Sequence, residues 1–193
     1  MNKLVCVTGL CGSGKSVVSD YLVDEEKFQF LRFGQITLDE VKKQGLELNE
    51  ANERAIRERL RKEHGMAAFA ILNLPKLDEL IKKGNVVGDG LYSFEEYKVL
   101  KEHFGAAMSV IAVYAPPELR YKRISERVMP KDDINLRHRS LTKEDAKARD
   151  FAEIENLNKG GTIAMADYTL VNTKDLDYLL NQLNEAIIDI KRK

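Results

Sequence analysis

Eight residues carry the chemistry most plainly: Gly9-Leu10-Cys11-Gly12-Ser13-Gly14-Lys15-Ser16 fit G-x-x-x-x-G-K-[ST], the phosphate-binding loop pattern. Glycines let backbone N–H groups turn inward around phosphate oxygens. Lys15 supplies a point charge toward the β- and γ-phosphates, and Ser16 offers a hydroxyl to Mg²⁺. Gly9, Cys11, Gly12, Ser13, Gly14, Lys15, Ser16 and Val17 therefore form the predicted site for ATP. An acid at a neighbouring strand end completes such a site, and Asp89 closes the apolar run Asn85-Val86-Val87-Gly88. Two roles fit Asp89: an Mg²⁺ partner of Ser16, or a helix or turn cap before Gly90.

Arginines form the second constellation. Arg120, Arg123 and Arg127 have i, i+3, i+7 spacing, which predicts one helix face. Arg137, Arg139 and Arg149 follow in a polar stretch. Phosphoryl transfer spreads negative charge over equatorial oxygens that planar guanidinium forks stabilise. Arg123, Arg127, Arg137, Arg139 and Arg149 are the candidates for that work, each with the competing role of a surface partner for Asp132, Asp133, Asp145 or Asp150. Arg32, Gly34 and Arg61 are candidates for holding a second, anionic substrate, although Arg61 equally fits a solvated helix face. His64, His103 and His138 are scattered and lack metal-ligand spacing.

These residues need a scaffold. Leu4–Thr8 reads as a buried strand before the loop, and Val17–Leu22 as a helix after it. Further strands are expected over 28–33, 85–89, 109–115 and 168–172, all nearly continuous apolar runs of the kind buried on both faces of a parallel sheet. Leu176, Leu179, Leu180, Leu183, Ile187 and Ile190 make a helical stripe. The pattern predicts a single doubly wound α/β domain with a five-stranded parallel sheet and its ligand crevice at the carboxyl ends of the strands. Two stretches read as insertions over that crevice. Residues 34–72 are helical and charged, with Glu50–Arg54, Glu53–Arg57 and Glu58–Lys62 at i,i+4 spacing. Residues 128–160 are very polar and read as a mobile lid rather than core.

The chain has 193 residues, with 31 Lys+Arg balanced by 31 Asp+Glu, so nothing in its charge calls for nucleic acid or a membrane surface. Two cysteines, Cys6 and Cys11, without metal-ligand company fit a reducing, cytoplasmic setting, and the start of the chain enters a core strand rather than a leader.

With these residues in place, the chain resembles the nucleotide-kinase group of P-loop proteins. It is similar to adenylate kinase and dephospho-CoA kinase relatives, and most of all to an archaeal-type family of small kinase-like ATPases. The likeness runs through Gly9–Ser16, Leu31-Arg32-Phe33-Gly34, Leu60–Ala68, Val86–Gly90, Pro117–Ile124, Arg149-Asp150 and Ile163–Asn172. It implies an ATP site on the P-loop, Mg²⁺, a lid, and γ-phosphoryl transfer to a small-molecule phosphate acceptor such as a nucleoside monophosphate. Dephospho-CoA, and a protein partner of a nucleotide-dependent ATPase switch, are the alternatives. Where adenylate kinases usually carry Asp after the glycine matched by Gly34, this chain has Gln35, and no acid precedes Asp39 to match the dephospho-CoA kinase carboxylate.

Overall fold

In the computed structural model, residues 1–128 and 140–192 are described. Five strands, β1 (Leu4–Thr8), β2 (Gln29–Arg32), β3 (Val86–Asp89), β4 (Met108–Tyr114) and β5 (Tyr168–Val171), pair in the order β2-β3-β1-β4-β5. Every pairing is parallel. The apolar runs predicted this, since both faces of each central strand need a partner layer. Alternation along β1 divides the core in two. Leu4 and Cys6 face one side with Phe33, Phe69, Leu77 and Leu100. Val5 and Val7 face the other with Val18, Leu22, Leu179 and Leu183.

The helices follow from those layers. α1 (Lys15–Asp24) and α9 (Leu176–Arg192) cover the second face, and α9 buries the stripe Leu179, Leu183, Ile187 and Ile190. α4 (Ala68–Lys83) and α5 (Phe94–Phe104) cover the first. α5 starts on a capping box: the Ser93 hydroxyl accepts from the Glu96 N–H, and the Glu96 carboxylate accepts from the Ser93 N–H.

The two insertions are helical where described. α2 (Gln35–Lys43) and α3 (Glu50–His64) stand at the end of β2. The α3 charges pair as expected at Glu53–Arg57, but Arg54 pairs forward with Glu58 and Arg59 reaches across to Glu40 on α2. The second insertion, expected as a mobile, charged lid rather than core, buries part of its charge where it is described. Its helix α7 (Lys143–Leu157) buries Ala146, Asp150 and Glu153. Composition alone misled here, because buried charges that pair inside the fold look the same in sequence as solvated ones. The helix α6 (Pro117–Ser125) ends two residues before Arg127, so that residue lies beyond the face predicted for Arg120 and Arg123. Arg120 is buried at an ion pair with Asp150.

Candidate active site

The loop between β1 and α1 is tight because three glycines make it so. Gly9, Gly12 and Gly14 have φ of 140°, 76° and 107°, where L side chains are strained. There is also no room for them. A Cβ on Gly12 would stand 2.4 Å from the Arg120 carbonyl oxygen, and one on Gly14 would stand 2.3 Å from Asn172 Nδ2. The loop is held from outside as well. Asn172, just past β5, donates from Nδ2 to the Ser13 carbonyl at 2.9 Å. Arg120 donates from Nη1 to the Cys11 carbonyl at 3.0 Å. Lys15 donates to the Leu10 carbonyl at 3.0 Å. The Ser13 hydroxyl is buried without a hydrogen-bond partner among the described residues.

Asp89 stands at the carboxyl end of β3, beside the loop. Its Oδ1 accepts from the Ser19 hydroxyl on α1 at 3.0 Å. It does not cap α5, since Ser93 does that. Ser16 and Asp89 line one cleft, about 100 Å³, with Cys11, Gly12, Gly14 and Lys15. A serine hydroxyl, a carboxylate and phosphate oxygens suit a hard cation such as Mg²⁺, which binds few protein ligands directly and keeps several waters. Among the described residues no cluster of three or more His, Cys, Asp or Glu side chains could hold a metal. The donor set of one hydroxyl and one carboxylate is compatible with Mg²⁺ held jointly with phosphates.

Other predicted residues divide clearly. Arg127 lines the loop cleft. Arg123 does not; its Nη1 donates to the Asn172 carbonyl at 2.8 Å, tying α6 to the end of β5. Gly9 and Ser13 are part of the loop without lining the cleft, and Val17 is half-exposed on α1. Arg137 and Arg139 lie outside the described residues. A second, larger cleft of about 880 Å³ opens between α2, α3 and α7. Gly34 and Arg61 line it, with Arg57, Leu38, Met66 and Phe69. The Arg61 guanidinium stacks 5.0 Å from the centre of the Phe69 ring, and burial lowers its pKa. Arg32, Tyr92, Leu141, Arg149 and Glu153 line both clefts.

Sequence reasoning missed the centre of that junction. Glu153 Oε1 accepts from Arg149 Nε at 2.9 Å, and its Oε2 accepts from Lys159 Nζ at 2.5 Å. Burial raises the pKa of Glu153, but Lys159, Arg149 and Lys15 outweigh it and hold it at about 2. Burial also acts on Lys15: with the nearby charge of Lys159 it brings that pKa down to about 8. Glu153 and Lys159 sit in a polar, aperiodic stretch, where spacing carries no signal of their burial.

This sheet order, with a glycine loop and Lys-Ser between the first strand and first helix, defines a P-loop protein of kinase-like fold. Solved structures share it. A gluconokinase from Sinorhizobium meliloti matches with a TM-score of 0.57 at 12% identity, over 98% of this chain and 93% of that one. Shikimate kinase from Acinetobacter baumannii, in complex with shikimate, matches with a TM-score of 0.55 at 17% identity, over 100% and 96%. At such identities the likeness is one of fold. A family model described as an AAA domain matches residues 5–151. The UPF0200 protein of Thermococcus kodakarensis is 37% identical over 193 residues, covering 98% of this chain and 99% of the relative. That of Aeropyrum pernix is 36% identical over 177 residues, covering 91% and 87%. The chain belongs to the UPF0200 family. Among the described residues no helix is long and apolar enough to cross a membrane.

Proposed function

We propose that this protein is an enzyme that transfers the γ-phosphoryl group of ATP, with Mg²⁺, to a small nucleotide-like acceptor, a nucleoside monophosphate suiting the second cleft best. The observation that carries the reading is the junction: the P-loop cleft and the larger cleft share Arg32, Tyr92, Leu141, Arg149 and Glu153 as walls. A volume of about 880 Å³ suits a nucleotide-sized molecule. Leu38, Met66 and Phe69 offer an apolar side for a base, and Arg32, Arg57 and Arg61 offer charge for a phosphate.

In this reading Lys15 and the amides of Gly12 to Ser16 receive the triphosphate. Ser16 and Asp89 would hold Mg²⁺, which when bound would supply positive charge against that of the phosphates. An acceptor phosphate oxygen supplies the electron pair to the γ-phosphorus. The bond from that phosphorus to the β–γ bridging oxygen breaks, and its electron pair leaves with ADP. Arg127 and Arg149 stabilise the charge that develops, and Arg137 or Arg139 join them from the 128–160 segment, the lid of this reading. Arg123 acts behind them by fixing α6. The 34–72 segment carries the acceptor wall.

Glu153 does not supply the base that an alcohol acceptor would need. Both its oxygens are occupied and its pKa is about 2, so it is a poor proton acceptor. A phosphate oxygen needs no base. Gln35, at the position where an acid is expected in adenylate kinases, instead donates to Asp39 at 2.9 Å.

The test mixes the purified protein with ATP, Mg²⁺ and a panel of AMP, CMP, UMP, dTMP and dephospho-CoA, following ADP and product mass. One monophosphate gaining a single phosphate is the expected result. Slow ADP release that no acceptor accelerates refutes the acceptor assignment.

A further inference from the structure

Lys159, the first residue of α8 (Lys159–Ala164), is 1% exposed. Enclosing an ammonium ion costs several kcal/mol unless partners compensate it. Its partners are few. Nζ donates to Glu153 Oε2 at 2.5 Å and stands 4.6 Å from the centre of the Tyr92 ring. An ammonium has three donors, and one carboxylate oxygen and a ring face satisfy only part of that capacity. Glu153 meanwhile also takes Arg149, so one carboxylate serves two cations. The surplus positive charge lies in the wall of the P-loop cleft, beside Lys15 and Ser16.

That arrangement works against the stability of the free protein, because Lys15 and Lys159 repel within a buried site. The pKa of Lys15 registers this repulsion, second to its burial. A third cation, Arg149, lines the same cleft. An anion entering the cleft from the loop side relieves this surplus. The anionic group expected there is the phosphoryl group in flight, its charge spread over three oxygens.

We infer that Lys159 is a second phosphate-facing lysine, contacting the γ-phosphoryl group during transfer, with Glu153 as the residue that positions it. This rests on the phosphoryl-transfer reading of the P-loop cleft. α8 would then belong to the site through its first residue, and charge stabilisation would come from the body of the fold as well as from arginines of the lid.

The experiment measures dissociation constants by calorimetry for Mg·ADP alone and for Mg·ADP with aluminium fluoride, a mimic of the transferring phosphoryl group. It compares the wild-type chain, Lys159→Met, and the double variant Lys159→Met with Glu153→Gln. The double variant removes both charges of the Lys159–Glu153 pair while the glutamine oxygen still offers Arg149 an acceptor, a second background should the single variant fail to fold. Thermal unfolding confirms that each is folded. The expected result is an ADP constant within about threefold of wild type and a fluoroaluminate complex weakened about 100-fold, as for loss of one preorganised charge donor. Equal weakening of both complexes, or no change in either, overturns the role of Lys159. A wild-type chain that binds no Mg·ADP overturns the P-loop reading beneath it.

Discussion

Replacing Asp150 by Asn tests how the P-loop is braced. Arg120 and Asp150 are each 3% exposed, and Arg120 Nη1 meets Asp150 Oδ2 at 2.6 Å. The Tyr121 hydroxyl donates to the same oxygen at 2.9 Å. The remaining Arg120 bonds run to the carbonyls of Ala115, at 2.9 Å, and Cys11, at 3.0 Å. Asparagine keeps the size of the side chain and removes only its charge, so the guanidinium is left buried and uncompensated. Breaking a buried pair in this way costs about 3–5 kcal/mol. For a chain of this length about 2–4 °C of Tm is lost per kcal/mol, so Asp150→Asn should lower Tm by roughly 6–20 °C. The control is Glu58→Gln, which breaks the Arg54–Glu58 pair at 2.8 Å, with side chains 72% and 64% exposed. That change should cost below about 1 kcal/mol. The assay is thermal unfolding by circular dichroism at neutral pH in moderate salt. If Asp150→Asn unfolds at the same temperature as Glu58→Gln, the pair does not brace the loop and the reasoning is wrong. Arg120→Met goes further, because it also frees the Cys11 carbonyl; it should weaken ATP binding in a titration as well as lower Tm.

Three other outcomes are expected. Lys15→Ala should leave Tm at or above that of wild type, since it removes a cation that burial and Lys159 disfavour, while phosphoryl transfer falls at least about 100-fold; a folded, fully active variant would sink the P-loop assignment. Asp89→Asn should raise the Mg²⁺ concentration needed for half-maximal turnover, and an unchanged Mg²⁺ titration would leave Asp89 a structural role, its bond to Ser19 included. Glu96 is buried and its pKa is raised to about 7 by that burial, from an ordinary value of 4.5. Between those values the folded state holds a proton that the unfolded chain has lost, so this group makes stability fall as pH rises from about 4.5 to about 7. Glu96→Gln, neutral throughout and still able to accept from the Tyr92 and Ser93 N–H groups, should flatten that part of the Tm–pH curve; an unaltered slope would show that other groups cause it.

The P-loop, the five strands and the parallel sheet were legible in the chain because each rests on local rules. A glycine spacing, an apolar run and a helical stripe are properties of consecutive residues, and the burial they need is set by the layers on both faces of the sheet. Asp89 was legible for the same reason, as the polar end of an apolar strand. The arginines were not legible as individuals. Arg123, Arg127 and Arg149 share a residue type, yet one fixes α6 to Asn172, one faces the loop, and one shares Glu153 with Lys159.

What only the tertiary structure decided is which charges are buried and with whom. Arg120 with Asp150 is separated by 30 positions in the chain, and the Asn172 side chain reaches Ser13 across 159. No periodicity records such a meeting. Composition made 128–160 read as a charged lid rather than core, whereas Asp150 and Glu153 are buried. A charged side chain signals water only when nothing in the fold pairs with it, and pairing is a property of the assembled layers rather than of the residue.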